Sequence, residues 1–295
     1  YLDLQQFPDH RDVGTPDEWL PRDGRLVRMT GRHPFNVEPP ISELRKTRFI
    51  TPPSLHYVRN HGSCPRLTWE ELTIRVGGPG VAKPMELSMD ELVTLTPHRE
   101  IPVTLVCAGN RGKEQNQLRQ TIGLNWGPGG AATNVWKGCL LRDLLLEAGV
   151  CDRNMEGLHV EFIGVGEMPN TLGPGPFPDE PWGEKVKYGT SIPLSRAMNP
   201  AYDVMVAWEA NGERLLPDHG YPLRLIIPGY VCGRMIKWLK EINVIAHETK
   251  SQYHYHNNKI LPPQITAEKA LQDGWWYKPE YTFNEPNVNS VMASP

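Results

Sequence analysis

The 295-residue sequence lacks the features of several common functional classes. It contains no apolar run near the roughly 20 residues that cross a bilayer, so we expect no membrane span. Its net charge of −3 gives no electrostatic basis for a nucleic-acid partner. The loop Gly123–Gly130 is rich in glycine, but its spacing differs from that of a phosphate-binding P-loop, and no Lys-Ser or Lys-Thr pair follows it.

Cysteine is scarce, and no C-x-x-C pair occurs. The five cysteines, an odd number in a chain too long to need disulfide staples, are Cys64, Cys107, Cys139, Cys151 and Cys232. Reduced thiols are typical of cytosolic proteins. The sequence therefore predicts free thiols and a cytoplasmic location.

Glycine and proline, in contrast, are abundant, with 27 and 29 residues. This composition favours short strands, turns and ordered loops over long helices. Leu158–Val165 predicts a strand, Leu140–Gly149 an amphipathic helix, and Asn211-Gly212 a tight hairpin turn. Because strands and helices do not alternate regularly, we predict a mixed, strand-rich α+β fold with long ordered loops.

The segment Val103–Asn116 joins an apolar run, a cysteine and a cationic stretch. Its β-branched, apolar run ends at Cys107 and turns through Ala-Gly-Asn into a cationic stretch. We predict a buried strand that presents the thiol to a loop-lined cavity. Positive charge from Arg111 and Lys113 would favour the thiolate, which binds metals or attacks electrophiles. An inert, buried thiol is the alternative that this segment alone leaves open.

Three loop segments each follow an apolar run and carry cationic or hydrogen-bonding groups. They are Tyr57–His61, Asp218–Arg224 and Gly233–Lys237, and they supply Arg59, His61, His219, Arg224, Arg234 and Lys237. If the segments converge, these side chains form a pocket for an anion with several oxygens. Each charge taken singly is more typical of a solvated loop or a salt bridge than of a binding site, and spacing alone does not bring the segments together.

The sequence also contains elements of two other kinds of site, a zinc site and a nucleophilic cysteine. Tyr253-His254-Tyr255-His256 contains an alternating histidine pair that a strand would place on one face. No further ligand stands at the spacing of a zinc site, so we interpret the pair as a surface or interface feature. The other is a Cys107 nucleophile with a histidine base, for which the sequence identifies no partner histidine.

Several segments together resemble the molybdenum-cofactor domain of the sulfite oxidase family. These segments are Pro34–Pro40, Tyr57–His61, Val103–Asn116, Tyr188–Pro193, Asp218–Pro222 and Gly233–Leu239. They occur in the order of that family, and the resemblance covers nearly the whole chain. Within the family, four segments resemble eukaryotic assimilatory nitrate reductases rather than sulfite oxidases: Lys113–Asn116, Gln120–Gly127, Tyr255–Lys259 and Trp275–Tyr281.

The resemblance implies a sulfite-oxidase-type molybdopterin-binding fold and suggests how the chain is divided. Residues 1–40, rich in proline, aspartate and arginine, predict an extended N-terminal arm. A molybdopterin-binding catalytic domain is expected at 41–260. The segment 261–295 would then lead, near Asn287–Val291, into an immunoglobulin-like domain through which this family forms homodimers.

The implied activity is that of an assimilatory nitrate reductase, an enzyme that reduces nitrate to nitrite by oxygen-atom transfer at a cysteine-ligated molybdenum–pterin centre. Cys107 would be the metal ligand, since soft sulfur suits a metal that changes oxidation state. The residues expected to hold the pterin and its phosphate are Tyr57, Arg59, Asn60, His61, Cys107, Ser191, His219, Arg224, Gly233, Arg234, Met235, Ile236 and Lys237. The expected catalytic residues are Cys107, Arg59, Trp126, Asn257 and Asn258, with Arg59 the first candidate for orienting nitrate.

One position departs from the family pattern. Two consecutive arginines usually follow the Cys-Ala-Gly-Asn turn, whereas here Arg111 precedes Gly112. We expect the lost donor to weaken nitrate binding, so that Gly112→Arg should lower the nitrate KM. Sulfite oxidation, which Lys113–Asn116 disfavours, and a catalytically silent molybdopterin-binding module, which Gly112 leaves open, are the alternatives.

The resemblance also bears on electron donors. In these enzymes haem and FAD lie on further domains, which carry electrons from NAD(P)H. We expect neither group on this chain, and we expect a haem domain of the full-length protein as its electron-donating partner.

Overall fold

The computed structural model describes residues 9–151, 153, 155–286 and 290–293. Residues 1–8 of the predicted arm and 287–289 of the predicted link to a dimerisation domain lie outside the described residues. In chain order, strands β1 to β13 span Val27–Arg28, Asn36–Glu38, Val58–Arg59, Thr73–Gly77, Met85–Ser88, His98–Val106, Ala131–Leu140, His159–Pro169, Lys185–Pro193, Met205–Ala210, Glu213–Arg214, Arg224–Ile226 and Leu239–Ile245.

The helices are short, as the glycine and proline content predicts. Helices α1 to α7 span Ile41–Thr47, Met89–Leu95, Gly112–Gln115, Leu141–Glu147, Leu194–Met198, Gln252–Tyr255 and Ala267–Gln272. Single 3-10 turns span His10–Asp12, Pro53–Leu55, Pro200–Tyr202, Pro217–His219, Cys232–Arg234, Trp275–Tyr277 and Pro279–Tyr281. No helix in the described ranges is long and apolar enough to cross a membrane.

The strands form three sheets. A small antiparallel sheet has the order β1-β2-β3, and a second sheet has the order β11-β10-β7-β6, with β12 also paired to β10. The third sheet has the order β5-β4-β13-β8-β9, in which β4 and β13 are parallel and the other pairs antiparallel. The predicted mixed, strand-rich α+β fold with long loops is confirmed.

The longest ladder positions Cys107. Strand β6 pairs with β7 from His98 opposite Cys139 to Val106 opposite Ala131. Cys107 follows immediately, and its backbone N–H donates to the carbonyl of Gly130 at 2.8 Å. The N–H of Asn110 then donates to the Cys107 carbonyl at 3.0 Å, which closes the turn. The structure therefore places this thiol at the end of a buried strand, as the apolar run predicts.

Two of the cationic loops are joined by backbone pairing. Arg224, the first residue of β12, forms an isolated antiparallel bridge with Lys237. The N–H of Leu225 donates to the carbonyl of Ile236 at 2.8 Å. The segment before β13 is thus held against β12, and the side chains of both reach the same region.

The predicted hairpin and the predicted amphipathic helix both form. Asn211 and Gly212 adopt φ values of 55° and 79° between β10 and β11, a left-handed conformation that glycine and asparagine tolerate best. Helix α4 buries three leucines on one face and ends just before Gly149, whose φ is 73°.

The N-terminal segment supplies β1 and β2, two of the three strands of the small sheet. Leu26, Phe35 and Val37 form a separate hydrophobic cluster with Leu55 and Val58. Strand β2 pairs with both β1 and β3, so residues 27–38 are hydrogen-bonded to the strand that leads to the Tyr57–His61 loop. The N-terminal segment therefore supports the loop that carries Arg59, Asn60 and His61.

Candidate active site

A cavity of about 1350 Å³ lies at the ends of β3, β6 and β12. The proposed site residues that line it are Tyr57, Arg59, Asn60, His61, Cys107, Trp126, His219, Arg224, Gly233, Met235, Ile236, Lys237, Asn257 and Asn258. The structure therefore brings together the three cationic loops, the thiol and the asparagine pair in one wall.

Ser191 and Arg234 are absent from the described residues that line this cavity. The Ser191 hydroxyl accepts the N–H of Thr249 at 2.9 Å, which ties β9 to the segment before α6. Arg234 is fully buried, and its Nε donates to the Asn284 side chain at 2.9 Å. Both residues act from behind the wall rather than in it.

The thiol of Cys107 does not have the environment that the sequence predicts. The neighbouring Cys232 thiol, and next burial, hold the pKa of Cys107 well above its ordinary value. Arg111 pairs with Glu114 instead of turning toward the sulfur, and Lys113 is exposed. The predicted lowering of this pKa by Arg111 and Lys113 is therefore wrong. The cation that favours the Cys107 thiolate is Arg59, from β3.

Cys232 was not predicted to belong to the site. It begins the 3-10 turn Cys232–Arg234 and lines the same cavity as Cys107. Its interaction with Cys107 lowers the pKa of Cys232 to about 7, against an opposing effect of burial. Both cysteines are free thiols. The only sequence signal was the presence of a cysteine beside the Gly233–Lys237 loop.

Buried Arg224 and half-buried Lys237 form the positive part of the wall. The Nη1 of Arg224 donates to the carbonyl of His219 at 2.8 Å, while its Nε has no hydrogen-bond partner among the described residues. Lys237 donates from Nζ to the carbonyl of Asp218 at 2.9 Å and to the side chain of Asn60. Burial lowers the pKa of Arg224 to about 10 and that of Lys237 to about 8. An anion placed between them would offset this electrostatic penalty.

The cavity histidines are neutral hydrogen-bonding groups. Burial lowers the pKa of His219 to about 3, and its Nε2 lies 3.0 Å from the carbonyl of Pro53, so that nitrogen carries the proton. Burial also holds the pKa of His61 well below its ordinary value. Its ring packs against those of Tyr188 and Tyr253, with centroids 5.1 and 4.9 Å away.

A buried ion-pair network supports the wall from behind. Asn60 donates from Nδ2 to the Asp218 carboxylate at 2.9 Å, and Arg22 donates from Nε to the same carboxylate at 2.9 Å. Arg22 also pairs with Asp12 and Asp17, each at 3.1 Å. Sequence reasoning missed Arg22, since it is 196 positions from Asp218 and no local pattern connects them.

The asparagine pair and the aromatic C-terminal segment form the rim. Asn258 has a φ of 55°, and its carbonyl accepts the N–H of Phe283 at 2.7 Å, so this residue also shapes the loop. Lys259 donates from Nζ to the carbonyl of Lys278 at 3.0 Å and to the hydroxyl of Thr282 at 2.7 Å. Trp126 is buried, and its ring meets that of Tyr57 edge-on at 6.1 Å.

The interpretation of the histidine pair as a surface feature is wrong for His254. This residue lies in α6 rather than in a strand and is 1% exposed. Its Nε2 is 2.7 Å from the Glu248 carboxylate, and its Nδ1 is 3.0 Å from Nη1 of Arg234. Because Arg234 can only donate, Nδ1 accepts and Nε2 carries the proton. No group of three or more His, Cys, Asp or Glu side chains that could hold a metal ion occurs in the described ranges.

The site fits an anionic cofactor that carries a soft metal. Among the described residues, the hydroxyl of Tyr57, Nε of Arg224 and Nη2 of Arg234 are buried without hydrogen-bond partners. Such groups are costly to bury unless something satisfies them, and phosphate oxygens would satisfy the first two from within the cavity. The Cys107 sulfur supplies one donor for a metal that completes its coordination with non-protein atoms.

Comparisons with known proteins agree with this geometry. The family described as "Oxidoreductase molybdopterin binding domain" matches residues 61–253. Nitrate reductase (NADH) 1 of Nicotiana tabacum is 50% identical over 287 residues, covering 97% of this chain and 30% of that protein. Nitrate reductase (NADH) 1 of Oryza sativa subsp. japonica is 50% identical over 298 residues, covering 100% of this chain and 31% of that protein.

A solved structure shares the fold. The crystal structure of the sulfane dehydrogenase SoxCD from Paracoccus pantotrophus matches with a TM-score of 0.63 at 24% identity, covering 81% of this chain and 55% of that chain. The chain spans about 30% of the length of the curated relatives that it matches.

Proposed function

Because the chain belongs to the oxidoreductase molybdopterin binding domain family, we propose that it reduces nitrate to nitrite in nitrate assimilation. The family match and the shared architecture confirm the predicted sulfite-oxidase-type molybdopterin-binding fold. The observation that carries the proposed activity is the cavity, whose wall joins a metal-binding thiol, buried cations and an asparagine-bearing rim. Similarity to plant nitrate reductases over nearly the whole chain supports nitrate as the substrate.

The residues of the wall would divide the binding of the cofactor between them. Cys107 would hold molybdenum through its sulfur, and Arg224 and Lys237 would bind the pterin phosphate with His219 as a neutral donor or acceptor. The remaining proposed contacts with the pterin come from Tyr57, Asn60, His61, Gly233, Met235 and Ile236, with Ser191 and Arg234 supporting them from behind. When bound, the molybdenum cofactor supplies a two-electron oxygen-atom transfer that side chains cannot perform.

Arg59 would orient the nitrate anion. Its Nη1 donates to the carbonyl of Asn60 at 2.6 Å and to the Asn36 side chain at 3.2 Å, which fixes the guanidinium at the cavity wall. Asn257 and Asn258 would offer amide groups at the rim, and Trp126 would close the wall behind the substrate. In the overall reaction nitrate takes up two electrons and two protons and releases nitrite and water. A preorganised cation stabilises charge that shifts on the oxygens during this change.

Gly112 favours a second candidate, a silent module that holds the pterin without reducing nitrate. This position lines the cavity and begins α3, and it offers no side-chain donor. Sulfite oxidation is the third candidate within the fold. Nitrate reduction, the silent module and sulfite oxidation would use the same cofactor. They differ in which substrate, if any, binds at the rim of the cavity.

We also propose the partners that the relatives suggest. The curated relatives carry NADH in their names and are about three times as long as this chain. A haem domain and a flavin domain of the full-length protein would pass electrons to the cofactor. We further propose that the full-length protein forms a homodimer through a C-terminal domain. Its proposed location is the cytoplasm.

The test is an assay of the cofactor-loaded chain with a chemically reduced dye as electron donor. We expect stoichiometric molybdenum, nitrite formation from nitrate, and no electron release from sulfite. The matched control, Cys107→Ser, should hold less molybdenum and form no nitrite. Molybdenum without turnover of either substrate would support the silent module instead, and sulfite-dependent electron release would support sulfite oxidation.

A further inference from the structure

The glycine-rich loop Gly123–Gly130 enters the proposed function only through Trp126, yet its backbone binds an anion. That anion is the side chain of Glu38, the last residue of β2. The N–H of Gly127 donates to Oε1 of Glu38 at 2.8 Å, and the N–H of Gly129 donates to Oε2 at 3.1 Å. Backbone N–H groups that point at one carboxylate form an anion site, and here the chain itself fills it.

The two glycines allow the carboxylate to approach the loop backbone closely. A Cβ at position 127 would lie 2.5 Å from Oε1 of Glu38, and a Cβ at position 129 would lie 2.5 Å from the carbonyl oxygen of Pro39. Neither glycine adopts a left-handed φ, so space rather than backbone conformation is what requires them. The loop is therefore shaped around a side chain that lies 89 positions before Gly127 in the sequence.

The carboxylate and the loop depend on each other. Glu38 is 9% exposed, and burial raises its pKa, whereas the N–H groups of Gly127 and Gly129 oppose that effect. A buried carboxylate needs hydrogen bonds in place of those it made with water, and these N–H groups supply them only while the loop keeps its position.

The loop that Glu38 holds is also bonded to the segment that carries the proposed metal ligand. The N–H of Cys107 donates to the carbonyl of Gly130 at 2.8 Å. The N–H of Arg111 donates to the carbonyl of Gly127 at 2.9 Å. These bonds attach both ends of the turn after β6 to the loop, so a displacement of the loop moves the Cys107 sulfur.

Strand β2 holds the other side of the cavity through a different side chain. The Oδ1 of Asn36 accepts Nη1 of Arg59 at 3.2 Å and the N–H of Asn60 at 3.0 Å. Side chains two positions apart in a strand lie on the same face, as do those of Asn36 and Glu38. One strand therefore sets the spacing between Arg59 and the thiol, with a separate side chain for each.

We propose that Glu38 is a positioning residue for the reaction, which holds the glycine-rich loop and, through it, Cys107 and Trp126 in place. The inference rests on the proposed function in taking Cys107 as the metal ligand and Arg59 as the residue that orients nitrate. Because Asn36 holds Arg59 separately, loss of the Glu38 contacts should disturb the placement of the sulfur more than the binding of nitrate.

Two variants break the contact from opposite sides. Glu38→Gln keeps the size of the side chain but turns one acceptor into a donor that faces a backbone N–H. Gly127→Ala keeps Glu38 and displaces its carboxylate, which provides a second variant if the first folds poorly. The matched controls are Glu100→Gln, at an exposed position, and Gly183→Ala, whose Cβ would lie 3.7 Å from its nearest neighbour, the carbonyl oxygen of Lys185.

Hydrogen exchange of the cofactor-loaded chain, followed by mass spectrometry, tests the contact itself. In both variants we expect the amides of residues 107–113 and 124–131 to exchange about tenfold faster than in the parent, while those of β13 keep the parent rate. Both controls should exchange as the parent does. Unchanged exchange in the loop, or equal acceleration in β13, would overturn the inference, because Glu38 would then hold nothing locally.

Steady-state kinetics with nitrate and a reduced dye, expressed per bound molybdenum, tests the consequence for the reaction. We expect kcat to fall roughly tenfold in both variants, since small displacements of reacting groups are costly, and the nitrate KM to stay at the parent value. Faster loop exchange with a parent kcat would leave Glu38 a structural role only and would also overturn the inference. A parent chain that forms no nitrite would contradict the proposed function instead, and hydrogen exchange would still decide whether Glu38 holds the loop.

Discussion

Burial sets the charge state of the side chains around the cavity, and it opposes charge on most of them. The pKa of Lys237 falls to about 8 and that of Arg224 to about 10, because both cations are removed from water. Arg224 has only backbone carbonyls as hydrogen-bond acceptors among the described residues. The wall is therefore preorganised to bind an anion. The same desolvated cations lower the free energy of unfolding of the cofactor-free chain.

The depressed pKa of His219 predicts how the stability of the cofactor-free chain depends on pH. The unfolded chain gains this proton near pH 6.5, and the folded chain gains it only near pH 3. Between these values the unfolded state holds more protons, so the free energy of unfolding falls as pH falls. From pH 7 to pH 5, His219 should account for a loss of about 2 kcal/mol.

Urea unfolding of His219→Gln at both pH values checks this, since the variant should lose about 2 kcal/mol less than the parent chain. His247→Gln, which changes an exposed histidine, is the matched control and should follow the parent. Equal losses in the parent chain and His219→Gln would show that the ring titrates normally.

Gly112 leaves the cavity without a cationic side chain at that position. We expect Gly112→Arg to lower the nitrate KM by roughly tenfold, because a charged hydrogen bond contributes about 1.5–3 kcal/mol. Arg111 is engaged with Glu114 and with the carbonyl of Ser290, so it does not replace the lost donor. A Cβ at position 112 would lie 3.1 Å from the carbonyl oxygen of Leu124, so the 124 segment must shift by a few tenths of an ångström.

Steady-state kinetics with a reduced dye measures this KM. Gly112→Ala is the matched control, since it introduces the same Cβ contact without a charge, and it should leave KM unchanged or raise it. An unchanged or higher KM for Gly112→Arg would contradict the assigned role of this position.

At the scale of elements, three separate pairings converge on one cavity. The β6–β7 ladder places Cys107, the bridge between Arg224 and Lys237 joins β12 to the segment before β13, and β2 holds β3. The N-terminal segment is part of this arrangement, because Arg22 reaches the site through Asp218. Support from three directions explains how long loops can hold a wall in place.

Arg22→Gln should lower the free energy of unfolding by roughly 3–5 kcal/mol, since the substitution leaves buried carboxylates without their cation. The side chains of Arg22 and its partners Asp12 and Asp17 are 2%, 0% and 0% exposed. Lys46→Gln is the matched control, because it removes the exposed cation of the Lys46–Glu43 pair and should change stability by less than about 1 kcal/mol. Equal effects in urea unfolding would show that the network contributes no more than a surface pair.

At the scale of the whole molecule, the described residues form a cavity for the molybdenum cofactor, and we propose that nicotinamide and flavin bind to other domains of the full-length protein. We therefore expect the loaded 295-residue chain to form nitrite with a reduced dye and not with NADH or NADPH. The two rates are compared at equal molybdenum content, with Cys107→Ser as the background. Nitrite formation driven by NADH alone would mean that this chain accepts hydride itself, contrary to the proposed division of labour.

Local patterns in the sequence determined the class of fold and the position of the thiol. A short apolar, β-branched run bounded by a turn favours a buried strand, and the Asn-Gly pair supplies the left-handed conformation that a tight turn requires. The strand before Cys107, the Asn211-Gly212 hairpin and helix α4 were predictable for that reason. The sequence segments that resemble the family also identified a set of candidate site residues.

Only the tertiary structure decided which charges meet and what burial does to them. The Arg22–Asp218 pair and the shared cavity of Cys107 and Cys232 bring together residues far apart in the chain, and the burial of His254 was equally invisible in the sequence. Electrostatic interactions depend on distance and on exclusion of water, and neither can be inferred from sequence spacing. For the same reason Cys107 was predicted to have a lowered pKa from its sequence neighbours, whereas Cys232 and burial raise it.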